Sequence, residues 1–442
     1  MHSNAPSNHT NVYRVAGGQP LAGRIRINGS KNAALPIIIA SVMSGEPVTL
    51  HNVPRISDVD VILETIGGLG TTYRWLGPNS LFLHTPLLWS VTPAPSLVLK
   101  MRATFELWGA LLARAGESNL SMPGGCNIGA RPVDQHVSAF RQLGYHVIEG
   151  DGFFKAERVS RRFQGEVRFD LKTVGGTRNT IMAATLGSGR VVLRNASTEP
   201  EVEDMITFLN ALGARISIRD ADTIEIEPVD RLGGGTHTVI PDRIEAGTFM
   251  LATAATAGRV KLENTDPGHL EPVISALTKA GISLQKSGSD AIEVDASNCA
   301  LHPVAVVMDG YPGFPTDLHP LLTTFLTTIP GVSRTSDRIF PERFTHIREL
   351  TSMGANIVTD GSTAKISGGP LTAGRIHATD LRAGGALIVA ALIARGESTI
   401  SGLEHIERGY ENLHTKLRSL GARISLEESS VNSVVPFKRT LP

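Results

Sequence analysis

Six stretches of the chain are apolar on nearly every helical face: "AALPIIIASVMS", "TFELWGALLARA", "NTIMAATLGS", "GTFMLATAATA", "HPLLTTFLTTIP" and "GGALIVAALIAR". A helix with that pattern must be buried all round. Each is followed by a segment with one grammar. A glycine opens a short alternating strand, a polar turn follows, then an amphipathic helix ending in Leu-Gly or an equivalent, then another strand. The opening glycines are Gly45, Gly116, Gly189, Gly258, Gly331 and Gly396. They recur roughly every 70 residues, a longer period than common solenoids use. The glycine after the amphipathic helix, such as Gly213 in "ALGARISI" or Gly421 in "SLGARISL", predicts a left-handed C-cap. Six buried helices enclosed by strands and outer helices predict an α/β protein of two three-unit domains.

Polar and charged residues gather just ahead of the buried helices: "SKN" (30–32), "KMRA" (100–103), "GGTRN" (175–179), "DRIEA" (242–246), "FPTD" (314–317) and "TDLRA" (379–383). A helix N-terminus presents unpartnered N–H groups and a positive dipole end. Capping explains Asp and Thr there. It does not explain Lys31, Arg102, Arg178 and Arg382, because cations are unfavourable at that end. These positions predict local anion sites suited to phosphate.

Length and charge sharpen the picture. The chain has 442 residues, too many for one compact core. Lys+Arg and Asp+Glu balance at 42 each, so no basic field for nucleic acid or an acidic lipid surface is written into the net charge. The opening "MHSNAPSNHTN" lacks the apolar region of a secretory signal, and the longest apolar runs are too short to span a bilayer. The two cysteines, Cys126 and Cys299, make no disulfide framework and have no metal-ligand spacing around them, which fits a reducing cytoplasm. Cys126 stands in "PGGCNIGARPVD" (123–134), with glycines before it and Arg131 after it, a setting that favours a reactive thiol over a buried one. Cys299, in "DASNCALHP", reads as structural.

Eight blocks in order carry a resemblance: "GSKNAALP" (29–36), "NVPRISDVD" (52–60), "PGGCNIGARPVD", "PDRIEAGTF" (241–249), "GFPTD" (313–317), "ERFTHIREL" (342–350), "ATDLRAG" (378–384) and "HIERGYE" (405–411). From about Val15 to Ser425 the sequence resembles the enolpyruvyl transferases, most closely the branch whose acceptor is a nucleotide sugar. The resemblance implies a two-domain inverse (inside-out) α/β barrel of six repeated strand-helix units. One domain would comprise 1–32 and 242–442, the other 33–241 with the Cys126 loop, and the crossings would fall near "SKN" and "PDR". It implies transfer of the enolpyruvyl group of phosphoenolpyruvate to the 3′-hydroxyl of UDP-N-acetylglucosamine with release of phosphate, in the first committed step of peptidoglycan precursor synthesis. That chemistry needs an acid, a base and clustered cations, and implies no metal or organic cofactor. Partners are the two small substrates, with no nucleic acid and no membrane. The oligomeric state is not set by the sequence, and a monomer suffices for the reading.

Roles follow position by position from the resemblance. Cys126 matches the proton donor, which also forms a covalent phosphoenolpyruvate adduct and should be alkylated by an electrophilic epoxide such as fosfomycin. Lys31 matches a phosphoenolpyruvate ligand that also acts in catalysis; Asn32 touches both substrates. Arg131, Arg343, Arg382 and Arg408 match the cations for phosphate and carboxylate, Arg408 also acting in catalysis, and guanidinium suits both anions by bidentate geometry. Asp317 matches a contact of the nucleotide sugar's attacking hydroxyl and is the candidate base, with helix capping as its competing role, and Asp58 is placed to orient Arg408. Arg102, Arg131, Pro132, Val133, Asp134, Gln135, Thr173, Val174, Gly175 and Ile339 match the nucleotide-sugar site. Two departures bear on the acceptor. The nucleotide loop reads Thr173-Val174-Gly175-Gly176 where Ser-Val-Gly-Ala is common, and Leu171 stands where some members carry lysine. Alternatives are transfer to another uridine nucleotide, or a catalytically silent UDP-sugar-binding regulator.

Overall fold

The computed structural model describes residues 9–124, 132–159 and 164–430. Its repeating unit is strand, buried helix, strand, outer helix, hairpin. In the third unit these are Gly165–Arg168, Val174–Thr185, Val191–Arg194, Pro200–Ala211 and the pair Arg215–Asp220 and Thr223–Glu227. The strand before the buried helix runs parallel to the strand after it, with Leu193 opposite Val167. The hairpin then adds two antiparallel strands on the other side. Five sheets have four strands; the sixth has three among the described residues. Among the described residues the sheets stay separate, and the strands do not close into one barrel.

Among the described residues a strand precedes five of the six buried helices, and the hydrophobic pattern did not announce it. These edge strands are short and half-exposed, as in "GTHT" of Gly235–Thr238, so they carry no apolar alternation. Gly213 and Gly421 do take left-handed φ values of 102° and 91°.

The apolar helices sit inside, as their composition demands. Every residue of Arg243–Ala255 is buried, and all but the last of Leu381–Ile393. The outer helix Thr345–Ser352, by contrast, buries only His346 and Leu350. Each fully buried Ile or Leu stabilises its core by about 1.5–3 kcal/mol relative to exposure.

The buried apolar side chains form two separate cores. One collects residues from 13–27 and 244–424. The other collects residues from 33–239. The N-terminal strand His9–Ala16 lies between Glu397–Ser401 and Arg423–Ser430, and Ala22–Arg26 runs parallel to Arg259–Glu263, which ties the beginning of the chain to its end.

The chain crosses between the cores twice, and the crossings are bonded to each other. Gly29 bridges Pro241 antiparallel. Ser30 N donates to the Ile240 carbonyl at 2.7 Å, Asp242 N to the Asn28 carbonyl at 2.8 Å, and Lys31 N to Asp242 Oδ2 at 3.0 Å. A Cβ on Gly29 would lie 1.6 Å from the Asn52 carbonyl oxygen, so only glycine fits where the chain passes so close.

Candidate functional site

Lys31 opens the first buried helix immediately after this double crossing. Its Nζ lies 2.7 Å from Asp58 Oδ2, while Arg408 Nε lies 2.9 Å from Asp58 Oδ1. Asp58 stands in the first turn of the Ser57–Gly67 helix, against the 405–411 turn; Ser57 N donates to the Glu407 carbonyl at 3.2 Å. Burial pushes the Lys31 ammonium down; Asp58 opposes that, and Arg382 and Arg408 add to it. Burial would raise the Asp58 carboxyl, but Lys31 and Arg408 hold it below the usual range. One carboxylate thus keeps two cations together.

A second cluster adjoins the first. Asp317 lies in the 3₁₀ turn Thr316–Leu318, before the helix His319–Leu326. That helix has no side-chain cap, so the competing capping role for Asp317 is not the one its carboxylate plays. Its oxygens instead lie 2.9 Å from Arg343 Nη1 and 2.9 Å from Arg382 Nη2, and Asn32 Nδ2 stands 3.4 Å away. Both guanidiniums are only 4% exposed. Burial opposes ionisation of Asp317, yet Arg382 and Arg343 outweigh it and hold the carboxyl well below the usual range. Arg382 is in turn backed by Tyr410, whose ring lies 5.7 Å from the guanidinium carbon and whose hydroxyl is 2.9 Å from Thr248 Oγ1.

Apart from Ile339, the remaining predicted residues that the structure describes belong to the half that carries the 33–239 core. Thr173 caps the Val174–Thr185 helix by accepting from Gly176 N, and Val174 and Gly175 form its first turn. Asp134 opens the Asp134–Gln142 helix with Val133 at its N-cap, and Arg102 Nη2 donates to the Pro132 carbonyl at 3.0 Å. Gln135 Oε1 accepts from Asp170 N at 2.9 Å and clips that loop to the helix. Ile339 is exposed beside the second cluster. Cys126 and Arg131 lie outside the described residues.

Two charged groups have partners that the sequence did not announce. Arg178, read as an anion ligand, pairs with Glu106 at 2.7 Å and donates to the Asn32 carbonyl at 2.8 Å. It therefore braces the Lys31–Asn32 turn from the neighbouring helix. Arg243 pairs with Glu201 at 2.9 Å and Glu199 at 3.2 Å. The acidic "EPEVED" that opens an outer helix and the lone arginine of "PDRIEAG" at the start of a buried one were visible, but nothing in their spacing joined them. The described residues contain no group of three or more His, Cys, Asp or Glu able to hold a metal ion, and no helix long and apolar enough to cross a membrane.

Comparison with known proteins fits this arrangement. The family model for EPSP synthase (3-phosphoshikimate 1-carboxyvinyltransferase) matches residues 15–417. A UDP-N-acetylglucosamine 1-carboxyvinyltransferase of Deinococcus radiodurans is 51% identical over 414 residues, covering 94% of this chain and 97% of that protein. One of Thermus thermophilus is 48% identical over 420 residues, covering 95% and 98%. Among solved structures, the enolpyruvyl transferase NikO of Streptomyces tendae superposes with a TM-score of 0.83 at 22% identity, over 95% of this chain and 100% of that one. EPSP synthase of Acinetobacter baumannii does so with a TM-score of 0.74 at 16% identity, over 95% and 100%.

Proposed function

Because the chain belongs to the EPSP synthase family of enolpyruvyl transferases, we propose that it transfers the enolpyruvyl group of phosphoenolpyruvate to the 3′-hydroxyl of UDP-N-acetylglucosamine, an early step of peptidoglycan synthesis. The observation that carries this reading is the packing of Lys31, Arg408, Arg343 and Arg382 around two carboxylates beside the double crossing. Four buried or half-buried cations in one place suit a substrate that brings a carboxylate and a phosphate.

In this reading the acceptor hydroxyl attacks C2 of phosphoenolpyruvate and gives its proton to Asp317, while Cys126 delivers a proton to the C3 methylene. The tetrahedral adduct then loses a proton from C3, and the C2–O bond to phosphate breaks, releasing phosphate and restoring the double bond. Lys31, Arg131, Arg343, Arg382 and Arg408 neutralise the anions throughout. Asn32, Arg102, Pro132 to Gln135, Thr173 to Gly175 and Ile339 hold the nucleotide sugar. Asp58 positions Lys31 and Arg408.

The two cores act as domains, 1–32 with 242–442 against 33–241, and close on the substrates about the bonded crossings. A cytoplasmic location suits both substrates. A phosphate-release assay with phosphoenolpyruvate against UDP-N-acetylglucosamine, UMP and shikimate-3-phosphate tests the assignment. The nucleotide sugar should turn over fastest. Comparable turnover with UMP would overturn the acceptor and leave the reaction type standing; release with none of the three would overturn both.

A further inference from the structure

Behind the Asp317 cluster lies a buried polar network to which no role has been given. Asp337 ends the strand Val332–Asp337 and has no exposed side-chain surface; His319, the residue opening the helix after Asp317, has none either. Four donors meet the Asp337 carboxylate. Oδ1 accepts from Ile339 N at 2.9 Å and Phe340 N at 2.8 Å. Oδ2 accepts from Thr316 Oγ1 at 2.6 Å and from His319 Nδ1 at 3.2 Å. Thr316 Oγ1 in turn accepts from Arg343 Nη1 at 3.2 Å, the nitrogen that also reaches Asp317.

The tautomer of His319 follows from these partners. Nδ1 faces a carboxylate and carries the proton, so Nε2 accepts from Thr335 Oγ1 at 3.1 Å. Burial favours the neutral ring, Arg343 does the same, and Asp337 opposes them; the groups packed against the ring are Asp337, Thr335, Phe344 and His346. A neutral histidine is thus held as a fixed donor, and the carboxylate it faces has every lone-pair direction used. A fully satisfied buried network is rigid, and a half-satisfied one is costly.

We propose that Asp337, held by His319, is a positioning residue that couples the two substrate sites. One oxygen fixes the Ile339–Phe340 turn and the other fixes, through Thr316, the guanidinium of Arg343. The proposal rests on the reading above, in which Ile339 contacts the nucleotide and Arg343 the phosphoenolpyruvate. Asp337 touches neither substrate. It makes the position of one contact depend on the position of the other.

Steady-state kinetics of the full-length enzyme with both substrates provide the test, on Asp337→Asn, Thr316→Val and Thr316→Ser. Loss of a hydrogen bond to a charged group is worth roughly tenfold or more. Asp337→Asn should therefore raise KM for phosphoenolpyruvate and for UDP-N-acetylglucosamine together, each by about tenfold or more. Thr316→Val should raise KM for phosphoenolpyruvate by a similar factor, and Thr316→Ser, which keeps the hydroxyl, should restore it. Combined with Asp337→Asn, Thr316→Val should add little further, because both cut one chain of bonds. A lower melting temperature with both KM values within twofold of wild type would reduce Asp337 to a structural residue and overturn the proposal, as would full additivity. If Asp337→Asn does not fold, the Thr316 pair decides: equal KM for Val and Ser overturns the coupling. Failure of the wild type to use UDP-N-acetylglucosamine at all would instead refute the functional reading.

Discussion

Replacing Asp317 with asparagine should move binding and turnover in opposite directions. The carboxylate lies 2.9 Å from both Arg343 and Arg382, and its own side chain is 27% exposed against 4% for each arginine. The amide keeps the shape and one acceptor oxygen but leaves two buried guanidiniums without a counter-charge. Breaking a buried pair costs about 3–5 kcal/mol, and the surviving acceptor and partial exposure put this case near the lower end, about 3 kcal/mol. Those guanidiniums then meet no internal competitor for an incoming anion. If about 1.4 kcal/mol of the deficit returns on binding, affinity for phosphoenolpyruvate rises roughly tenfold. Turnover should fall by about two to four orders of magnitude, the usual size of a general-base contribution. Calorimetric titration with phosphoenolpyruvate, thermal melts with and without it, and single-turnover phosphate release separate the effects. Wild-type turnover would remove Asp317 as the base. Weaker or unchanged affinity would refute the idea that it competes with substrate for the two arginines.

Gly29→Ala should lower stability by several kcal/mol and abolish closure, since the added carbon meets the Asn52 carbonyl at 1.6 Å beside the crossing; thermal melts and small-angle scattering with ligand check it. Glu199 is a pH reporter. Burial pushes its carboxyl up to about 6, against Arg243 and with Glu201, so the folded state holds this proton more tightly than the unfolded chain does. The stability it contributes is present below about 4.5 and lost as pH rises through about 6, and Glu199→Gln should flatten that part of the melting profile relative to wild type. A parallel profile would count against it. Fosfomycin should alkylate Cys126 and spare Cys299, a half-buried thiol that donates to the Asp295 carbonyl at 3.3 Å. Cys126→Asp should keep activity and escape inactivation, and mass spectrometry placing the adduct on Cys299 would sink this assignment.

The six buried helices were legible because burial on every side leaves a continuous apolar run, as in Leu381–Ile393. The edge strands ahead of five of them were not, because a short strand held by main-chain bonds along one side needs no side-chain pattern. "GTHT" reads as loop until Leu50 is found opposite His237. Lys31, Arg343 and Arg382 stood out as cations in repeated places or family motifs, yet the sequence could not say that two carboxylates already hold them. Asp337 was invisible for a related reason. Its partners Thr316 and His319 lie some twenty residues earlier, and only the burial of the strand end against the helix start brings them together. The partner of Arg178 was hidden because the dipole argument weighs the charge against its own helix, whereas Glu106 comes from the preceding unit.

The interleaving of the chain ends has a consequence for how the molecule is made. Residues 33–239 supply one core without interruption, so that half is complete once the ribosome has passed the second crossing. The strands His9–Ala16 and Ala22–Arg26 emerge before that half, yet their neighbours Arg423–Ser430, Glu397–Ser401 and Arg259–Glu263 come after it. At about 5–20 residues per second, the strand His9–Ala16 waits roughly 10–40 s for Arg423–Ser430 after residue 241 is added. During that interval it is an open edge tethered beside a finished half. The early segment is thus synthesised as a placeholder, and the late strand Arg423–Ser430 closes the sheet it began.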